Sequence, residues 1–421
     1  MTAAPLTRSP GRSRLQRRTL VVLVLMQIIG TVGVGVAPSI GILVAGDITQ
    51  NEAWAGLART ASTLGAALMG VPLGTLAARR GRRFALASGW WTAAAGSALL
   101  VVAAQGRLVI PLFIGLFLMG AGLAVSLQAR FAATDLAEPQ RQGRSLALIV
   151  WVGTIGSVLG PNLAVPGRLI SDAVGLDLYA SAFLVAAVCM AIAGAVAFAL
   201  LRPDPLLAAH GQVVVPTAGP RGRGAIARML GELRVNPGAR YAVLAIVSAQ
   251  IVMVAIMTMT PVHITHQGGS VEIVGLTISL HIVGMYAFSP VVGQLTDRLG
   301  HRATILIGLL ILLASLVLGA ARPDGTGWII GSLILLGLGW SFINVAGSAL
   351  FSSVVPVATR AASQGGVDAL SNLCGATAAF AAGPLLAATS FSVLSILAIG
   401  ALLPLTALLI VRRPHPEGPT P

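Results

Sequence analysis

The chain has 421 residues, of which 56% are hydrophobic and only 10% are charged. Soluble domains carry about 25% charged residues, so this composition excludes a water-soluble fold. The net charge of +14 does not indicate a nucleic-acid-binding protein, because the basic residues lie almost entirely on one side of the predicted spans. The four exceptions are Arg59, Arg107, Arg168 and Arg322. This is the positive-inside pattern, and it predicts that both termini are cytoplasmic.

Apolar stretches recur along the whole chain, each long enough to cross a hydrocarbon core that needs about 20 helical residues. The first follows a basic segment and is too long for the apolar part of a signal peptide, so we interpret it as a span. The predicted spans are residues 20–45, 53–77, 84–104, 108–130, 145–165, 179–201, 240–262, 272–296, 303–321, 328–350, 362–387 and 392–411. The fold class is therefore all-α integral membrane, with about twelve transmembrane helices.

One long connection divides the spans into two groups of six. Residues 202–239 are rich in Pro, Gly and Arg, which is typical of a flexible cytoplasmic linker beside an anionic leaflet. We predict an N-terminal half over 1–201, this linker over 202–239, and a C-terminal half with a short cytoplasmic tail over 240–421. The basic residues other than His are all Arg, a bias typical of GC-rich bacterial coding, and we expect the bacterial inner membrane.

The two halves share short motifs in one register. A loop of the form Gly-x-Leu follows the second span and recurs after the eighth, and a Gly-x-Gly pair recurs in spans four and ten. Because six spans separate the copies, both copies face the same way across the membrane. Such a parallel repeat is typical of transporters with two moving halves. The loop motifs consist of Gly74, Arg79, Gly81, Arg82 and Arg83 in the first copy and Gly293, Asp297, Arg298, Gly300 and Arg302 in the second.

This pair of loops resembles the signature of the major facilitator superfamily, Gly-x-Leu-a-Asp-Arg-x-Gly-Arg-Arg/Lys, and the resemblance extends over essentially the full length. It implies two parallel six-helix repeats and transport by alternating access. In the family, pairing of the loop's Asp and Arg is thought to latch one conformation. The first copy has Ala78 where the acid belongs, which implies a latch that is weaker or built differently. Alternatively, the arginines of this loop only set topology.

The fifth span contains Gly156, Gly160 and Pro161, similar to the Gly-x-x-x-Gly-Pro motif of the family's drug/proton antiporters. Small residues allow close helix packing, and the proline allows a bend. The resemblance implies proton-coupled efflux of lipophilic or drug-like compounds. Two antiporter features are missing: an Arg just before Gly120 and an acid in the first span. Arg130, lower in the fourth span, is a possible replacement for the missing Arg.

Ionisable side chains within spans cost about 2.5–3.5 kcal/mol on insertion scales and are candidates for function. Apart from Glu272 at the very start of the eighth span, Asp368 is the only acid inside the predicted spans, and desolvation there favours a proton carrier. The alternative is that it lies in an interfacial turn and pairs with Arg360. His281 is predicted either to take part in a proton relay or to be a neutral residue that forms hydrogen bonds between helices. Arg59 pairs with an acid, attracts an anion, or extends to the outer interface.

Further polar residues form two predicted groups. A cytoplasmic charge cluster consists of Arg130, Asp135 and Arg144, with Arg141 beside it, and its role is gating or topology. Uncharged polar side chains line a cavity or bond between helices. These cavity candidates are Gln27, Thr31, Asn162, Gln250, Asn344 and Asn372.

Other functions are less consistent with the sequence. His263 and His266 have a spacing that can bind metal, but no Cys or acid cluster accompanies them, so we predict neither an enzyme nor a metal site. We expect no cofactor, and as partners the lipid bilayer, a small-molecule substrate and protons, with the protein acting as a monomer. Uptake of a metabolite by proton symport or facilitated diffusion remains the alternative to efflux.

Overall fold

The computed structural model describes residues 10–51, 53–137, 142–210 and 222–411. Arg141 and parts of the predicted linker and tail lie outside this range, as does the side chain of Arg144. All regular secondary structure in the described part is helical. The α-helices are α1 Pro10–Val34, α2 Ile42–Thr49, α3 Ala53–Arg80, α4 Arg82–Gly106, α5 Val109–Ala132, α6 Gln142–Leu159, α7 Ala164–Val174, α8 Leu178–Leu200, α9 Pro205–His210, α10 Gly222–Val235, α11 Pro237–His266, α12 Val271–Tyr286, α13 Ser289–Leu299, α14 His301–Ala321, α15 Thr326–Val354, α16 Val357–Ala388 and α17 Phe391–Val411.

The membrane architecture predicted from the sequence is confirmed. Within the described ranges, 11 helical segments are long and apolar enough to cross a bilayer. The fifth predicted span, 145–165, is interrupted: α6 ends at Leu159, a 3₁₀ turn covers Gly160–Asn162, and α7 follows. Pro161 lies in that turn and has no N–H with which to continue the helical hydrogen bonds.

Prolines also break two other spans. Between α1 and α2 the helix widens into a π-turn at Ala37–Gly41 that contains Pro38, and the Gly41 N–H donates to the Val36 carbonyl at 3.3 Å. Between α12 and α13 the helix is interrupted just before Pro290. Because a proline cannot donate to the preceding turn, each position relaxes the regular ladder. Each pair of helices nevertheless forms one candidate span.

The described chain divides into two compact units. Unit 1 comprises residues up to Ala218 together with Ile264–Ile282, and unit 2 comprises Gly219–His263 and the rest from Val283. The core of unit 1 joins α1, α4, α5 and α8 around large buried side chains. Ser97 on α4 donates to the Phe183 carbonyl on α8 at 2.9 Å, so this buried hydroxyl has a partner on the neighbouring helix.

Unit 2 holds its helices together with small polar residues. Ser315 on α14 donates to the carbonyl of Ser332 on α15 at 2.7 Å, and Ser332 donates back to the Ser315 carbonyl at 2.8 Å. Both side chains are buried. In an apolar environment, close packing and interhelical hydrogen bonds replace the hydrophobic effect as the source of helix association. Part of the predicted linker belongs to this unit, because α10 buries Met229 in a cluster that includes Val367 of α16.

The internal repeat is visible in the helix contacts. In unit 1, a Cβ atom at Gly65 of α3 would strike the Phe117 carbonyl of α5. In unit 2, a Cβ atom at Gly284 of α12 would lie 2.8 Å from the Ile334 carbonyl of α15. The same pair of spans in each half therefore approaches through a glycine, as the parallel repeat predicts.

Candidate functional site

The loop motif between α3 and α4 is a tight turn at Gly81, which has φ +89°. Its counterpart Gly300, between α13 and α14, has φ +83°. Residues that have a side chain rarely adopt this backbone conformation, so glycine is required at the same place in both copies. Gly74 and Gly293 differ from them, because no atom lies within 4 Å of a Cβ built at either position. Their recurrence in both copies is not explained by packing.

The first loop is held by an ion pair to the end of α5. Arg82 Nε lies 2.9 Å from Asp135 Oδ2, and Arg82 Nη2 lies 3.3 Å from Asp135 Oδ1, an arrangement with two parallel hydrogen bonds. The side chains are only 16% and 10% exposed, so solvent screens the pair weakly. In the structure, Asp135 of the predicted charge cluster therefore pairs with Arg82. Arg130 instead donates to the Leu127 carbonyl at 3.1 Å.

An aspartate that the sequence analysis missed also contacts this loop. Asp204 Oδ2 accepts from the Arg83 backbone N–H at 2.8 Å, and its Oδ1 caps α9 through the Leu206 N–H at 3.0 Å. The Arg83 guanidinium donates to the Phe198 carbonyl at 2.7 Å and lies 4.3 Å above that residue's ring. A carboxylate from the end of α8 thus reaches a loop that has Ala78 in place of its own acid. Asp followed by Pro is a helix N-cap pattern that could have identified it.

The second copy of the loop is more open. Asp297, Arg298 and Arg302 are all exposed at the junction of α13 and α14, and Arg79 of the first copy is exposed as well. The role of these loops in a conformational cycle stays a prediction.

The glycines of the fifth span pack against α1. A Cβ atom at Gly156 would strike the Thr31 hydroxyl, and one at Gly160 would lie 2.5 Å from the Gly35 Cα and 2.6 Å from the Val32 carbonyl oxygen. The obstructing atoms at Gly160 are backbone, which cannot rotate away. Gly156 and Gly160 thus allow two helices to meet at backbone distance.

Two predicted cavity candidates lie in this α1–α6 contact. Thr31 is buried and donates to the Gln27 carbonyl at 2.7 Å. The Gln27 side chain is also buried, with its Nε2 atom 3.0 Å from a Cβ built at Gly153. Gln27 Oε1 has no hydrogen-bond partner among the described residues. In this structure both side chains lie between helices.

A hydrogen-bonded group links the end of α6 to α12 within unit 1. Asn162 Nδ2 donates to Ser279 Oγ at 2.7 Å and to the Val158 carbonyl at 3.1 Å, and Ser279 donates to the same carbonyl at 2.6 Å. A Cβ atom at Gly275 would lie 2.6 Å from the Pro161 carbonyl oxygen, so α12 passes close to the broken helix. The carbonyl of Val158 lies just before the break, which leaves it open to side-chain donors.

Acidic residues lie beside two of the four exceptional arginines. Arg168 on α7 forms an ion pair with Glu272 at the start of α12. Arg107, which ends α4, lies 3.0 Å from Asp47 at the end of α2. Both pairs are substantially exposed, and such surface pairs contribute little stability each. Their effect is to offset the positive charge on the side where the sequence predicts few basic residues.

The three proton-coupling candidates lie in different surroundings. His281 on α12 is fully buried, Arg59 on α3 is partly buried, and Asp368 on α16 is exposed. Residues 362–370 are helical, so Asp368 does not lie in an interfacial turn; it lies near the start of the candidate span Gly366–Ala388. Its role as a proton carrier is untested by this geometry. The Arg360 side chain lies outside the described residues.

Unit 2 contains a cluster of an amide and two aromatic rings. Trp340 Nε1 on α15 donates to Gln250 Oε1 on α11 at 2.9 Å. The ring of Tyr286, at the end of α12, meets the Trp340 ring edge to face, with centroids 5.9 Å apart and planes at 75°. All three side chains are partly exposed. Of the predicted cavity candidates in this unit, Asn344 is partly exposed and Asn372 is exposed.

The first histidine of the His-x-x-His pattern, His263, packs and forms a polar contact within unit 2. The His263 Nε2 atom lies 2.7 Å from the Pro323 carbonyl oxygen, and its ring stacks on Phe391 with centroids 4.4 Å apart. No group of three potential metal ligands occurs among the described residues.

Comparison with known proteins gives a consistent assignment over nearly the full chain. A family model described as Major Facilitator Superfamily matches residues 19–275 and 242–421. The chain is 37% identical over 405 residues to the uncharacterized MFS-type transporter YdeG of Bacillus subtilis, a match covering 96% of this chain and 93% of that protein. It is 29% identical over 405 residues to the riboflavin transporter RfnT of Brucella anthropi, with 94% of each chain covered.

Solved structures share the fold at low sequence identity. The nucleoside transporter NupG superposes with a TM-score of 0.68 at 16% identity, covering 94% of this chain and 98% of that one. A bacterial homolog of the human lysosomal transporter Spinster gives a TM-score of 0.69 at 14% identity, covering 96% and 97%.

Proposed function

Because the chain belongs to the major facilitator superfamily, a family of membrane transporters and not of enzymes, we propose that it is a secondary transporter working by alternating access. The observation that carries this proposal is the family match across both halves, supported by the repeated positive-φ glycine turn at Gly81 and Gly300. The cargo is a small organic molecule. The protein acts as a monomer in the bacterial inner membrane, with both termini in the cytoplasm.

The cytoplasmic orientation is supported by the arginine distribution. Only four arginines, Arg59, Arg107, Arg168 and Arg322, lie on the other side.

We propose proton-coupled export as the direction of transport. The support is the antiporter-like motif at Gly156, Gly160 and Pro161, which packs against α1 at backbone distance. Asp368 is the proposed proton carrier, since it is an acid within a candidate span, and His281 and Arg59 are further candidates for the relay.

A second candidate is transport of riboflavin or a similar molecule, in either direction. It is favoured by the 29% identity to a riboflavin transporter over nearly the full length of both chains. Uptake by proton symport or facilitated diffusion belongs with this candidate.

The export proposal is tested in inside-out vesicles that contain the protein and are acidified in the lumen. Proton release is followed with a pH-sensitive dye as drug-like compounds and riboflavin are added. We expect compound-dependent release by wild type and by a matched Asp172→Asn variant, whose acid is exposed on α7, and no release by Asp368→Asn. Vesicles without the protein give the background.

Release that persists in Asp368→Asn would refute the assignment of the carrier. No release with any compound, together with gradient-independent flux of riboflavin, would refute proton-coupled export and favour facilitated diffusion.

A further inference from the structure

Among the candidate spans of the described chain, α11 is the most deeply buried. From Tyr241 to Ile264 none of its residues is exposed. Its partly exposed positions fall on one stripe, which is otherwise apolar and includes Gln250. Gln250 is therefore the polar side chain that this stripe of α11 leaves partly accessible.

Gln250 is held in one orientation by Trp340. The indole N–H donates to Gln250 Oε1 at 2.9 Å, so the oxygen is occupied and the amide NH₂ group points the other way. Nε2 lies 3.3 Å from a Cβ built at Gly375 of α16, and a side chain at that position would cover it. The glycine therefore leaves the amide donor accessible.

Two aromatic rings stand beside this amide. Trp340 and Tyr286 meet at 75° and form two walls of a corner, which we call the aromatic corner together with Gln250. Tryptophans of membrane proteins concentrate at the lipid interfaces. Trp340 instead lies near the middle of α15, a helix of 29 residues, where interfacial anchoring does not explain it.

The helices that carry Gln250 and Trp340 bring no formal charge to the aromatic corner. α15 contains no charged residue, and α11 has none between Arg240 and His263. A charged ligand placed here would be desolvated without a counter-charge from either helix, which is costly. An uncharged planar ring loses little on desolvation, can stack on one aromatic wall, and can accept a hydrogen bond from the amide.

We propose that the aromatic corner of Gln250, Tyr286 and Trp340 binds the cargo, and that the cargo is a planar, uncharged heteroaromatic molecule with a hydrogen-bond acceptor on the ring edge. The ring stacks against Trp340, and the Gln250 NH₂ group donates to the acceptor. This inference rests on the proposed transport function and specifies the class of its substrate. It differs from the lipophilic or drug-like cargo that the sequence analysis favours.

The test measures binding to the purified full-length protein in nanodiscs. The probes are riboflavin, a flat uncharged fluorophore, adenosine as a smaller uncharged heteroaromatic ring, and tetraphenylphosphonium as a lipophilic cation. The variants are Trp340→Leu, Trp340→Phe and Gln250→Leu. Trp328→Leu is the matched control, since Trp328 belongs to the same helix and is 54% exposed near its start. Gel filtration verifies that each variant is folded.

We expect riboflavin or adenosine to bind wild type and Trp328→Leu equally. Trp340→Leu weakens binding about tenfold or more, because stacking of a base on an aromatic side chain is commonly worth that factor. Trp340→Phe weakens it less, since it keeps a ring. Gln250→Leu weakens riboflavin binding by up to about tenfold, as expected for one hydrogen bond.

The inference would be overturned if Trp340→Leu bound riboflavin and adenosine as tightly as wild type does. It would also be overturned if wild type bound neither of these probes, or if wild type bound tetraphenylphosphonium more tightly than either. Flux measurements on the same preparations distinguish an error in the binding site from an error in the proposed transport function. Transport of any probe that is insensitive to Trp340→Leu rejects the aromatic corner and keeps the transporter. Folded wild type that moves no probe rejects both.

Discussion

Replacing Gly160 by Ala tests a helix contact at backbone distance in unit 1. The added methyl group would lie 2.5 Å from the Gly35 Cα and 2.6 Å from the Val32 carbonyl oxygen. Ordinary carbon–carbon contacts lie at about 3.5–4.0 Å, so the overlap is about 1 Å. Since both obstructing atoms are backbone, the 3₁₀ turn after α6 must move away from α1.

The cost of this displacement is that of overpacking a filled site, about 1–3 kcal/mol. In domains of about 150–250 residues each kcal/mol of destabilisation lowers Tm by about 2–4 °C, and the shift becomes smaller as the chain becomes longer. For this longer chain we therefore expect Tm to decrease by only a few degrees. The matched control is Gly70→Ala on α3, where no atom lies within 4 Å of the new Cβ. There the better helix propensity of Ala favours an unchanged or slightly higher Tm.

The assay is thermal unfolding of the purified protein in detergent, followed by the loss of the monodisperse gel-filtration peak. A Gly160→Ala protein as stable as wild type, with Gly70→Ala also unchanged, would refute the backbone-distance contact between α1 and the end of α6. The double variant Gly35→Ala, Gly160→Ala provides a second check, because its two methyl groups would face each other and lower Tm further.

Two further predictions concern polar contacts. For the ion pair of Arg82 with Asp135, the test is a double-mutant cycle with Arg82→Gln and Asp135→Asn, measured by unfolding in detergent. We expect a coupling energy of about 1–3 kcal/mol, because the pair makes two hydrogen bonds and is mostly buried. Additive effects of the two substitutions would contradict this prediction. For Asn162 and Ser279, Asn162→Leu should lower the unfolding free energy by about 1 kcal/mol. Ser279→Ala should cost less in the Asn162→Leu background than in wild type, because the direct hydrogen bond from Asn162 to the Ser279 hydroxyl is already lost there; equal costs would show that the two residues act independently.

The architecture could be predicted because its cause is local and repeated. Long apolar segments with few charges allow only spanning helices, and the recurrence of Gly81 and Gly300 in one register indicated the two halves before any contact was known. The structure adds the reason, since both glycines adopt positive φ. A bend was expected from Pro161 within the span 145–165, whereas the helix ends at Leu159 and is followed by a 3₁₀ turn and α7.

The candidate site was harder to predict, because its contacts join residues far apart in the chain. Gln250 was identified as polar, but its partner Trp340 lies on another span and carries no motif. Asp204 was overlooked because it lies in a Pro-rich segment that was interpreted as a linker. In the structure its carboxylate accepts a hydrogen bond from the Arg83 N–H. Asp135 was assigned to neighbours in sequence, whereas its partner is Arg82.

The central claim, that the protein is an alternating-access carrier, is tested most directly by counterflow in proteoliposomes. Vesicles are loaded with excess unlabelled riboflavin and diluted into a trace of labelled riboflavin, with no ion gradient, and parallel samples use adenosine. A carrier exchanges the two pools one molecule at a time, so we predict a transient accumulation of label above its equilibrium level. Monotonic equilibration without an overshoot, or flux equal to that of protein-free liposomes for both compounds, would contradict the account.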